Sequence, residues 1–232
     1  AYEITYGDWS SGRVLFRSRY ETFKDMKNWQ DFARHWKQVL RQSEPLLRRH
    51  RLRVAVENHK DWLVDEQVEI LKSVSSQWLG ACIDFGNNLA LLEDSLEVVR
   101  KLAPYAMTTH LKDMAVRPTE TGFELSEVVL GEGQTPLREI VSLLRQNNIR
   151  LPIVLEMITR DPLLVPYKTD LYWVTYEKRD QQRIDRFERG VLSRATARPL
   201  PRISHLTTEN ALAVENDNLR RCSDYARNIL KV

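Results

Sequence analysis

Cysteine is scarce: Cys82 and Cys222 are the only two among 232 residues, and they lie far apart. No disulfide framework is expected. Charge of one sign is missing too, since 35 Lys and Arg stand against 32 Asp and Glu for a formal net charge of +3. Neither nucleic acid nor a membrane surface is therefore an expected partner. Local basic runs such as Arg48-Arg49-His50-Arg51 suit the C-terminal end of a helix. No run of about twenty apolar residues occurs, and with that goes any expectation of a bilayer-spanning helix. The compartment is left open, with the cytoplasm as the default.

What is present is the ordinary composition of one globular domain, 42% apolar and 29% charged. Its organising pattern is Val54-Ala-Val-Glu-Asn-His59, an apolar run that ends in a carboxylate, an amide and an imidazole. Such a run reads as a buried strand delivering polar groups to one edge of a sheet. The event recurs three times: Ala81-Cys-Ile-Asp84 ends in Asp84, Met107-Thr-Thr-His110 in His110, and Pro152-Ile-Val-Leu-Glu156 in Glu156. Each run is followed by a loop and then a helix-like segment.

In chain order, residues 1–18 fit poorly with the rest of the chain. Residues 14–17 read either as an edge strand or, because Arg13-Val-Leu-Phe-Arg-Ser18 resembles the translation of a common sequencing-adapter end, as part of a foreign head. This stretch is given no functional weight. The spacing of Trp29, Phe32, Ala33, Trp36, Val39, Leu40, Leu46 and Leu47 predicts a long amphipathic helix over 27–49, kinked or divided at Pro45. Strands are expected at 52–57, 79–84, 106–112 and 153–156. Helices are expected at 66–74, capped by Asp65, at 95–102, and from Pro136 to 146. Gly86 is read as taking a backbone conformation that other residues avoid. A long loop is expected from Asp113 through Gly131-Glu-Gly-Gln134, and a proline-bounded loop at 161–166. Helices at 171–189 and 209–230 form a tail that covers a barrel face.

Strands alternating with helices predict a parallel sheet, and polar residues at successive strand ends predict a (β/α)8 barrel. A full barrel typically needs about 250 residues, so the expected fold class is α/β: a partial TIM barrel, its C-terminal half (about strands five to eight), with a helical extension. The open edges of a half-barrel have to pair with something or stay exposed. A second copy, giving a homo-oligomer, is one such partner.

Glu57, Asp84, His110 and Glu156 stand 27, 26 and 46 residues apart, the separations of strand ends one or two repeats along. A carboxylate at one strand end is ordinarily a cap or a salt-bridge partner; four polar tips in register are hard to explain that way. Hard oxygen donors with one imidazole suit Mn, Mg, Co or Zn better than soft-ligand metals.

Val-Glu-Asn-His59, Ile-Asp-Phe-Gly-Asn87, His-Leu-Lys-Asp113, Gly-Glu-Gly133 and Leu-Glu156 together resemble the motifs of the sugar phosphate isomerase/epimerase family, the xylose-isomerase-like TIM barrels. The resemblance covers residues 19–156. It implies a barrel half over 19–160 with the extension at 161–232, and one divalent metal held by Glu57, Asp84, His110 and Glu156. It also implies a small-molecule sugar substrate and proton transfer next to a carbonyl, with the metal stabilising an enediolate. Glu57 and Glu156 would remove and return the proton, giving epimerisation or isomerisation of a sugar, sugar phosphate or keto-sugar.

Substrate-binding expectations fall on His59, two residues past Glu57 on the same strand face; on Asn87, where some relatives carry His; on Lys112; and on Asp113, which alternatively orients a neighbour. Lys112 either meets an oxyanion or makes an internal salt bridge. Trp62 and Phe85 either stack on a sugar or pack. Two other activities compete: a keto-sugar lyase or dehydratase, which begins with the same proton abstraction, and a non-catalytic fragment or accessory subunit. A nuclease is disfavoured, because it needs a multi-metal cluster with more histidines, and His35 and His50 fall on a helix.

Overall fold

The computed structural model describes residues 18–232, so the expectations for residues 14–17 lie outside the described residues. Ser18, grouped with that head on sequence, belongs to the fold. It is fully buried, and both its amide and its hydroxyl donate to Glu21 Oε2, at 2.8 and 2.7 Å, opening the short helix α1 (Arg19–Thr22). The long helix α2 (Met26–His50) comes next, opened by Asp25, whose side chain accepts the Asn28 N–H, and closed at Arg51 in the left-handed region. Pro45 neither divides nor ends it. The proline lies on the exposed side, where water can satisfy the carbonyl left without a partner.

The chain then alternates through β1 (Val54–Glu57), α3 (Val64–Val74), β2 (Leu79–Asp84), α4 (Ser95–Leu102) and β3 (Ala106–Leu111). A hairpin of β4 (Asp113–Pro118) and β5 (Phe123–Val128) precedes α5 (Leu137–Asn147) and β6 (Val154–Leu155). β7 (Leu163–Val165), α6 (Asp170–Trp173), α7 (Gln181–Gly190) and α8 (Thr208–Tyr225) complete it.

Strands β1, β2, β3 and β6 form one parallel sheet in that order. All six residues of β2 are buried, because helices cover it and strands flank it on both sides. Val98, Val99 and Leu102 of α4 and Ile140 and Leu144 of α5 share one core with Ala81 and Ile83. Each fully buried aliphatic side chain there contributes about 1.5–3 kcal/mol. Helix α3 starts at Val64 rather than after an Asp65 cap: Glu66 reaches back to accept the Leu63 N–H at 2.8 Å, closing the first turn from inside.

Residues 113–134, expected as a loop, contain the hairpin. Its two faces alternate: Met114, Val116, Phe123 and Leu125 enter one apolar cluster, Ala115 and Val128 another. At the turn, the Thr119 N–H donates to the Gly122 carbonyl at 2.9 Å. The 161–166 segment is likewise no plain loop, since β7 adds to β5 as the third strand of this antiparallel sheet. A Cβ on Gly122 would meet the Val165 carbonyl, so the close approach of β7 requires glycine there.

The single helix expected over 171–189 is broken into α6 and α7. Tyr172, Trp173, Ile184 and Phe187 from these helices pack against the hairpin in its own cluster. Helix α8 returns to the parallel sheet's core through Cys222, joined there by Ala226 and Leu230. No helix among the described residues is long and apolar enough to cross a membrane.

Candidate metal centre

Parallel register carries the polar tips to one end of the sheet. Glu57 closes β1, Asp84 closes β2 and pairs with His110 in β3, and Glu156 comes directly after β6, its N–H donating to the Leu111 carbonyl at 3.0 Å. One ligand-type atom from each of Glu57, Asp84, His110 and Glu156 lies within 4.8 Å of the other three. Oxygen and nitrogen donors about 2.0–2.6 Å from a single divalent ion span roughly this distance.

His110 Nδ1 is 3.2 Å from both Glu57 Oε1 and Glu156 Oε2, so one imidazole nitrogen faces two carboxylates. Asp84 uses Oδ1 to accept the N–H groups of Gly86 and Asn87, at 2.8 and 2.7 Å, which turns the chain away from the sheet. Its Oδ2 points the other way, 2.8 Å from Lys112 Nζ. The same ammonium is 2.6 Å from Glu156 Oε2 and 3.7 Å from Glu127 Oε1. Asp84 Oδ2 and Glu156 Oε2 are buried yet in hydrogen-bonding geometry with no described group. Two buried anionic oxygens held only by charge, converging with an imidazole and a third carboxylate, are a donor set that a divalent cation fits.

The electrostatics arise from burial set against contact. Burial works against ionisation of Glu57 and Glu156, but the His110 bonds, with Lys112 beside Glu156, hold both below the usual glutamate value. For Asp84 burial prevails over the Lys112 ammonium and pushes the carboxyl up to about 6. Burial also works against charge on His110 and Lys112, yet the acids around them keep both raised; for His110 the Cys82 side chain adds a hydrogen bond.

The other expected residues divide. Asn87 Nδ2 donates to Glu57 Oε1 at 3.0 Å, placing Asn87 at the cluster. His59 is half-buried beside it, its pKa pushed down to about 4 by burial and then by neighbouring Lys60. Lys112 makes the internal salt bridges. Asp113 serves a loop: Oδ1 accepts the N–H groups of Met114 and Thr135, and Oδ2 those of Gly131 and Gly133. It is thereby the neighbour-orienting residue, with both oxygens occupied. Trp62 and Phe85 are buried in the core and pack. Gly86 has an ordinary φ of −130°; glycine is needed because a Cβ would strike the Met114 side chain.

Sequence reasoning missed Asn58, whose side chain donates to the Asp84 carbonyl and accepts the Asp84 N–H, lacing the tips of β1 and β2 together. Its place between Glu57 and His59 was the available signal. Glu127 was missed because its strand was taken for a loop.

Residues 11–176 match the family described as the xylose isomerase-like TIM barrel. The chain belongs to that family. Among its relatives, 3-oxo-isoapionate decarboxylase of Pectobacterium atrosepticum is 26% identical over 120 residues, 51% of this chain and 44% of that one. The uncharacterized protein YihM of Escherichia coli is 24% identical over 91 residues, 39% of this chain and 28% of that protein. The chain thus spans less than half the length of these family members. A xylose isomerase-like TIM barrel protein from Mycobacterium smegmatis, solved in complex with magnesium, aligns with a TM-score of 0.49 at 17% identity, covering 68% of this chain and 50% of that one.

Proposed function

We propose that this chain carries the metal-binding half of a sugar isomerase or epimerase that transfers a proton at a carbon next to a carbonyl. The observation behind this reading is the convergence of Glu57, Asp84, His110 and Glu156 within 4.8 Å at one end of a parallel sheet. The four strands β1, β2, β3 and β6 would be half of a (β/α)8 barrel, with residues 161–232 as its extension. Glu57, Asp84, His110 and Glu156 would hold a divalent ion, Mn, Mg, Co or Zn. When bound, such an ion supplies positive charge beside a carbonyl and its neighbouring hydroxyl.

The remaining work falls to the chain. Glu57 and Glu156 stand on either side of His110, and both are held ionised near neutral pH, the form needed to accept a proton. Asn87 fixes Glu57 by its amide, and His59, neutral near pH 7, is available to a substrate hydroxyl.

A second reading, loss of carbon dioxide or of a β leaving group from a keto-sugar derivative, is supported by the similarity to 3-oxo-isoapionate decarboxylase. It requires the same carbanion. The test is metal content together with ketose-dependent C–H exchange in deuterated buffer, on the wild-type chain and on Glu156→Gln. Bound divalent metal and an exchange that the variant loses support the proposal. Metal without exchange removes the proton-transfer reading, and no metal removes the centre itself, leaving a non-catalytic fragment.

A further inference from the structure

Three basic side chains approach the cluster, and only two are matched. Lys112 is paired with Asp84 and Glu156, and Arg160 Nη2 lies 3.1 Å from Glu127 Oε1. Lys60 is 2% exposed, yet among the described residues its ammonium has no hydrogen bond and no ion pair; its one polar contact is its carbonyl, which accepts the Arg19 N–H at 2.8 Å. A buried, unmatched ammonium is costly, and it persists only where something else compensates.

The backbone shows that the position is imposed. Lys60 sits at φ +49°, in the left-handed region that a residue with a Cβ avoids, three residues past Glu57 on the loop leaving β1. Arg19 anchors this loop and is itself locked, its guanidinium 3.8 Å above the Trp29 ring and ion-paired to Glu66 at 2.9 Å. Strain of this kind gathers at ligand sites.

Charge points the same way. Burial, then repulsion from Arg160 and Lys112, lowers the Lys60 pKa to about 8, which puts its head in the same field as the cluster. Glu57, Asp84, Glu127 and Glu156 offer four negative charges against the three cations of Lys60, Lys112 and Arg160. A divalent ion on the tips reverses that sign, so the loaded site favours a negatively charged occupant.

We infer that Lys60, with Arg160 beside it, is an anion subsite, so that the substrate is a ketose bearing a carboxylate or phosphate rather than a neutral sugar. This inference rests on the metal-centre reading above and adds to it the class of substrate. Arg160 fits the role because its guanidinium is 30% exposed, uses one nitrogen on Glu127, and keeps further donors for a planar anion.

The test is titration of the manganese-loaded chain with three ketoses: neutral D-fructose, the carboxylate 5-keto-D-gluconate, and D-fructose 6-phosphate. Manganese affinity is measured first and separately. One of the two anions is expected to bind at least about tenfold more tightly than fructose, and Lys60→Met to remove that advantage while leaving manganese and fructose affinities unchanged. Which anion wins identifies the source of the charge. Arg160→Gln, at a more exposed position, is expected to weaken the same anion if Lys60→Met fails to fold. Equal binding of all three sugars, no binding of any, or an anion preference untouched by both substitutions overturns the inference. Failure to bind manganese instead sinks the metal centre, and the anion comparison is then read on the metal-free chain by the same criteria.

Discussion

Lys112 holds its ammonium 2.6 Å from Glu156 Oε2, with 2% of its side chain exposed. It therefore occupies part of the negative field that a bound cation would use. Removing one member of a buried charge cluster costs roughly 3–5 kcal/mol, so Lys112→Met is expected to melt well below the wild type without metal. Added manganese should raise its melting temperature by more than it raises that of the wild type. Equal shifts in the two proteins would mean that lysine and metal do not compete.

Asp113 gathers the N–H groups of Met114, Gly131, Gly133 and Thr135. Asp113→Ala leaves these donors without their acceptor, a loss of at least about 2–3 kcal/mol. Urea unfolding should show it, with manganese affinity nearly unchanged in the folded fraction. A variant as stable as wild type but deficient in sugar binding would return Asp113 to the substrate.

Glu93 accepts the Val64 N–H and an Asn88 amide N–H, and burial pushes its carboxyl up from 4.5 to about 7. Because the folded form holds the proton more tightly than the unfolded form, its contribution to stability is present below pH 4.5 and lost as pH rises through 7. Relative to Glu93→Gln, the wild type should lose up to about 3 kcal/mol between pH 4.5 and 8. Parallel urea midpoints across that range for the two proteins would contradict the assignment.

Gly86 and Met114 share one space, since a Cβ on the glycine would strike the methionine side chain. Gly86→Ala should cost roughly 1–3 kcal/mol by overpacking. In a Met114→Ala background the same substitution should cost clearly less, a coupling that a double-mutant cycle reads directly. Additive losses would place the cause in the backbone instead.

The four tips were legible because each ends an apolar run, and a buried parallel strand has few other reasons to finish on Glu, Asp or His. The helices over α2, α4 and α5 were legible from spacing alone. The hairpin was not: Ser126 and Glu127 are polar residues buried by tertiary contacts, and Glu127 takes the Ile158 N–H and Arg160. Lys60 was illegible for a related reason. In sequence it is one more loop lysine, and only the packing around Arg19 buries it.

Strand β6 is two residues long and forms the outer edge of the sheet, with Val154 45% exposed. Glu156 hangs from this strand, whereas Asp84 is rooted in the fully covered centre. Edge strands with few buried contacts open locally long before a protein unfolds. The residence time of an ion at the four tips would then be set by the fraying rate of a single edge, and amide exchange at Glu156 would keep pace with metal release.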